Sequence, residues 1–186
     1  MRHLWLGSAF VLAIGCAGVP AGDPIVTRAD PPIHQLTVPF FADETDQCGP
    51  STLASVLNYW GVSATPEELR AEMYIARVRG SLPFDLVLAA ERRAISAQAV
   101  RGSMDAIKAE LRAGRPVVAL LNIRSADRPY GHFIVVTGYD DQRLGLVAHS
   151  GPKRDTFISY STFLPQWDLG GRWMLVAGPA WTARKP

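Results

Sequence analysis

The chain has 186 residues, 48% of them apolar, which is room for one domain with a real core and too little for two. Nineteen basic and seventeen acidic residues are interleaved along it and leave a formal charge of +2, so there is no polybasic stripe and nucleic acid is excluded as an expected partner. With two cysteines, Cys16 and Cys48, a disulfide-built scaffold is excluded as well.

In chain order, Arg2, an apolar stretch from Leu4 to Ile14 and small residues around Cys16 have the layout of an export signal. The stretch is far shorter than the roughly 20 residues a spanning helix needs. The run Ala13-Ile14-Gly15-Cys16 resembles the lipobox of bacterial lipoproteins, with Ala13 where leucine is usual. That resemblance implies a signal peptide over residues 1–15, cleavage before Cys16 and a lipid on it. The protein would then be anchored in the bacterial cell envelope, facing the periplasm or the exterior. Ordinary cleavage near Ala17, yielding a soluble secreted product, is the alternative. Residues 16–34, rich in Pro, Gly and Ala, read as a lipid-anchored linker. One domain over residues 35–181 follows.

Within it, "PSTLASVLNYW" sets Leu53, Val56, Leu57 and Trp60 on one helical face, with Pro50 suited to the first turn and Gly61 to the stop. "TPEELRAEMY" opens a second helix with a capping box of Thr65 and Glu68. "LPFDLVLAAERRA" and "SMDAIKAELRAG" read as two more, the last stopped by Gly114. The period then changes. "RPVVALLNI", "HFIVVTGYD", "RLGLVAH" and "GRWMLVAG" are short β-branched or apolar runs, with Asp140-Asp141 as a turn. Helices followed by an antiparallel sheet predict an α+β domain. Trp60, Trp167 and Trp173 are expected in its core.

Cleaving or acylating Cys16 leaves Cys48 with no partner for an internal disulfide. A lone exported thiol is inert and buried, joined to another molecule, or reactive. Cys48 precedes Gly49-Pro50 at the start of the first predicted helix, where unpaired N–H groups and the positive dipole end lower a thiol's pKa. That position points to a reactive thiolate. Its proton shuttle is sought in His132, at the start of the strand "GHFIVVTGYDD", with Gly131 leaving space for a substrate backbone. Cysteine first and histidine later is the order of a papain-type thiol enzyme, in which the fold brings the two together.

"DQCGPSTLASVLNYWG", "GHFIVVTGYDD" and the closing "STFLPQW…GRWMLVAG" resemble the bacteriocin-processing, double-glycine cysteine peptidases and their stand-alone relatives in the papain-like clan, over Leu36 to Gly178. The resemblance implies a papain-like fold, N-terminal helices packed on an antiparallel sheet, with Cys48 as nucleophile and His132 as general base and acid. It also implies an oxyanion-holding glutamine five or six residues before the cysteine, where this chain has Asp43 and Ala42; Gln47 is the nearby amide that could serve. Where the family presents an acid or amide followed by proline to orient the histidine, this chain reads "LVAHSGPK". His149 takes the equivalent place, with Ser150 beside it; that His149 merely ends a strand is the other reading.

His34, His132 and His149 lack close ligand spacing and there is no Cys-x-x-Cys pair or phosphate loop, so no metal and no cofactor are expected. Three functions are compatible with this pattern. They are a membrane-tethered cysteine peptidase acting on a peptide or protein substrate, a catalytically impaired module binding peptide in the same cleft, and an acyltransferase using the same cysteine.

Overall fold

The computed structural model describes residues 31–43, 46–124 and 130–179. The signal stretch, Cys16 and most of the expected linker lie outside the described residues. No helix among those described is long and apolar enough to cross a membrane.

Four helices stand where the periodicity places them: α1 (Cys48–Tyr59), α2 (Pro66–Met73), α3 (Pro83–Glu91) and α4 (Met104–Arg112). The α2 capping box is formed: the Thr65 hydroxyl accepts from Glu68 N–H at 3.2 Å and a Glu68 carboxylate oxygen accepts from Thr65 N–H at 3.0 Å. Past α4, Gly114 adopts φ +76°, a left-handed conformation that ends a helix without strain.

One antiparallel sheet runs in the order β2-β7-β3-β4-β5-β6, made of β2 (Ser96–Arg101), β7 (Trp173–Gly178), β3 (Val117–Ile123), β4 (Tyr130–Asp140), β5 (Gly145–Ser150) and β6 (Lys153–Ser159). A short β1 (Ile33–Gln35) pairs with the far end of β4. Two features depart from the expected helices-then-strands order. β2 lies between α3 and α4, and α5 (Tyr160–Leu169) lies between β6 and β7. β2, "SAQAVR", carries too few β-branched residues to announce itself and is held by pairing with β7 along its whole length. β1 takes Ile33 and His34, from the stretch read as linker, into the sheet. Its close approach requires Gly138, where a Cβ would lie 2.5 Å from the His34 carbonyl oxygen.

Strand alternation divides the sheet's side chains between two cores. Val118, Phe133, Val135, Leu175 and Ala177 pack against α1, α2 and α3. Val117, Ala119, Ile134, Val136 and Val176 pack on the other face with Ile107 and Leu111 of α4 and Phe163 and Trp167 of α5. Trp167 is fully buried, whereas Trp60 and Trp173 are only partly so. Trp60 donates Nε1–H to the Ala177 carbonyl at 2.7 Å and thereby ties the end of α1 to β7. The buried face of α1 therefore fixes the height of its first residue, Cys48, against β4.

Candidate active site

Cys48 opens α1, and nine consecutive residues after it, Gly49 to Leu57, are buried. Its position is thus set by the core and not by a flexible loop. Gly49 is needed at this spot: a Cβ there would come within 3.0 Å of Ser81 Cβ and 3.1 Å of its Oγ. Just upstream, Asp43 Oδ1 accepts the Gln47 N–H at 2.8 Å, satisfying one donor at the helix start and aiming the carboxylate toward the thiol. The Cys48 Sγ, a ring nitrogen of His132 and a carboxylate oxygen of Asp43 all lie within 4.8 Å of one another.

His132 enters from β4, opposite Leu121 of β3. Its Nε2 is 3.0 Å from Ser150 Oγ, which leaves Nδ1 as the nitrogen without a hydrogen-bond partner among the described residues. All three side chains border a cleft of about 740 Å³. It is lined by the 78–83 segment, by Leu120 with Tyr130 to Phe133, and by Gly151 and Pro152. An Arg79–Asp46 ion pair at 2.9 Å also borders it. Ser81 Oγ is buried with no partner among the described residues.

Cys48 and His132 are therefore brought together. His149 is not. Its Nε2 donates to the Val38 carbonyl at 3.0 Å and its Nδ1 accepts the Asp155 N–H at 3.2 Å, so both nitrogens are committed away from His132. The reason is strand alternation: His149 pairs with Val135, whose side chain faces α1, so His149 shares that face. Ser150, one residue on, turns to the face that His132 uses and meets its ring at 3.0 Å.

Gln47 is not among the residues lining the cleft, and its backbone N–H donates to Asp43, whose carboxylate lies within 4.8 Å of the thiol. Asp46, with φ +51°, turns the chain immediately before it.

The electrostatics also differ from the expected thiolate. Burial pushes the Cys48 thiol above its ordinary range and the Asp43 carboxylate adds to this, outweighing the backbone amides of Phe133, Gly49 and Cys48 itself. Burial pulls His132 below the ordinary imidazole range, with Asp43 opposing. At neutral pH the pair rests as thiol and neutral imidazole. The helix start has the right sign to lower the thiol, but desolvation is the larger effect.

A cysteine at the head of a core helix, a histidine on a central strand and a cleft that both border are the arrangement of a papain-like fold. The chain belongs to the Peptidase C39-like family, whose model matches residues 30–171. Among solved structures, it is similar to a double-glycine-motif protease from an AMS/PCAT transporter in complex with the leader peptide. The two are 22% identical, over 79% of this chain and 95% of that one, with a TM-score of 0.64. The peptidase domain of Streptococcus ComA, a bifunctional ABC transporter of a quorum-sensing pathway, is 20% identical, over 75% and 98% of the two chains, with a TM-score of 0.60. A C39-like peptidase from Bacillus anthracis is 19% identical, over 78% and 96%, with a TM-score of 0.61. No curated protein matches the chain.

Proposed function

We propose that the protein is a cysteine peptidase in which Cys48 attacks a peptide carbonyl and His132 moves the proton. The observation that carries this reading is the proximity of the Cys48 sulfur and a His132 ring nitrogen, within 4.8 Å, at the edge of an open cleft. Because the pair rests neutral, Cys48 passes its proton to His132 as its sulfur bonds to the carbonyl carbon. The Cys48 N–H, at the first helical position where no helical carbonyl can take it, is placed to receive the developing oxyanion. His132 then gives the proton to the leaving amine, and water, deprotonated by His132, frees the acyl group from sulfur. Ser150 holds the imidazole in the orientation this cycle needs.

The solved relative with its leader peptide bound supports a peptide as the ligand class for the cleft. Anchorage through a lipid on Cys16 at the bacterial cell envelope belongs to the same proposal and rests on the Ala13-Ile14-Gly15-Cys16 run. Cys16→Ser should block processing and release the protein from membranes; a soluble product beginning after Ala17 would overturn the anchor.

A second reading has one observation in its favour. The Asp43 carboxylate stands beside the nucleophile, where negative charge opposes the oxyanion, as it would in a module that binds peptide without cleaving it. A peptide electrophile directed at thiols separates the two. Covalent labelling that maps to Cys48 and is lost in His132→Ala supports the enzyme. Peptide binding with no labelling and no hydrolysis supports the module.

A further inference from the structure

Asp43, Cys48 and His132 come from three separate parts of the chain, a loop, a helix start and a strand, and together offer one oxygen, one sulfur and one nitrogen within 4.8 Å. In tetrahedral zinc the corresponding ligand atoms stand about 3.4 Å apart, given metal–ligand bonds of roughly 2.0–2.3 Å. Two of the three already hold a further hydrogen bond. Gln47 N–H anchors Asp43 Oδ1 at 2.8 Å and Ser150 Oγ meets His132 Nε2 at 3.0 Å, the kind of outer hydrogen bonds that orient metal ligands. The cleft leaves a fourth position open to water.

We propose that Asp43, Cys48 and His132 form a reversible site for a zinc-class divalent ion that caps the nucleophile and holds the protein inactive. Sulfur, imidazole and carboxylate select a borderline ion over Mg²⁺ or Ca²⁺, which take oxygen ligands. On binding, the Cys48 S–H proton leaves to solvent and the sulfur lone pair forms the bond to the metal. The ion loses waters in exchange, and nothing is oxidised or reduced. The carboxylate that opposes an oxyanion in the peptidase becomes a ligand in the capped state. The capping, though not the binding itself, rests on the cysteine-peptidase reading.

The test uses the full chain freed of metal by a chelator. Cobalt(II) should give a thiolate-to-metal charge-transfer absorption saturating at one ion per chain, and zinc should displace it. The absorption should vanish in Cys48→Ser. Zinc affinity, read by competition with a chromophoric chelator, should fall at least about tenfold in Asp43→Asn, and by about 10- to 100-fold in Ser150→Ala through the lost outer hydrogen bond. Alkylation of Cys48 by iodoacetamide, mapped by mass, should slow at least about tenfold with zinc and recover with chelator. Magnesium should do nothing. Circular dichroism establishes that each variant is folded; should Cys48→Ser fail, Asp43→Asn and Ser150→Ala decide. An absorption unchanged in Cys48→Ser, or a zinc affinity unchanged in both of the others, overturns the site. If Cys48 labels freely whether or not zinc is present, the metal site falls and the peptidase stands. Zinc that masks Cys48 in a metal-free protein unable to hydrolyse any peptide leaves the site standing and removes the peptidase.

Discussion

Two clusters of titratable side chains lie on the sheet of this molecule, and they are wired in opposite ways. At one, Lys108 of α4 donates to both oxygens of Asp141, at 2.7 and 2.9 Å, and the Tyr160 hydroxyl donates to Oδ1 at 2.6 Å. Burial pushes the Asp141 carboxyl up, but the bonds from Lys108 and Tyr160 and the Lys108 charge outweigh it and hold it below the usual range. Tyr160, partly buried and bonded to that carboxylate, is held far above the usual phenol range by desolvation and that bond. The second cluster, Asp43, Cys48 and His132, has no cation within it. Its thiol is shifted up and its imidazole down, each toward the neutral form. The first cluster is finished by its own partners and ties α4 and α5 to the turn after β4. The second has its three groups at the edge of a cleft, with no such cation to pair them.

The sharpest way to break this contrast is to remove the reacting groups. Cys48→Ala should abolish peptide hydrolysis, a loss of at least about 10⁴-fold, and His132→Ala should cost about 10²–10⁴-fold, with thermal unfolding little changed in either. Hydrolysis surviving Cys48→Ala would move the nucleophile elsewhere.

Ser150 and His149 provide the next test. Ser150→Ala should lower turnover about tenfold without loss of stability, because the hydroxyl aligns the imidazole and brings no charge. Ser150→Asp should add a charge that favours the imidazolium, raise the His132 pKa and move the acid limb of kcat/KM to higher pH. His149→Ala should do the reverse of Ser150→Ala. It removes a buried ring bonded to the Val38 carbonyl and the Asp155 N–H, costing about 1–3 kcal/mol in denaturant unfolding, with turnover changed less. Equal loss of activity in both variants would return His149 to the site.

The pKa directions set a third test. General-base action needs neutral His132, which is present above its pKa. Since that lies below the ordinary imidazole value of about 6.5, the acid limb of kcat/KM should fall below pH 6.5. The thiol ionises above its ordinary range, so iodoacetamide should alkylate Cys48 more slowly than free cysteine at neutral pH. Faster alkylation would mean that the helix start outweighs desolvation.

The smallest effect belongs to the finished cluster. Tyr160→Phe removes one bond to a carboxylate that keeps Lys108, and should cost about 1 kcal/mol, a melting shift of about 2–4 °C, with peptide hydrolysis unaltered. A loss of activity there would join two regions that the contrast treats as separate.

Four helices, the central strands and the Cys48–His132 pair are legible in the residues themselves. Apolar period, caps and glycine stops act over a few neighbours, as at Thr65 and Glu68 or at Gly114, and a cysteine before Gly-Pro at a helix start is visible without a fold. β2 and β1 were not legible, because pairing with β7 and β4 stabilises strands whose own composition does not. The residue that meets His132 from β5 is Ser150, one position beyond His149, for a similar reason. Whether His149 or Ser150 faces His132 depends on register against β4, and a shift of one residue exchanges the faces. Tertiary structure alone also decided that Asp43 stands beside the thiol, and that desolvation overrides the helix start at Cys48. Local sequence determines which groups are chemically able to act; burial and register, which are sums over residues distant in the chain, determine which of them meet and in what protonation state.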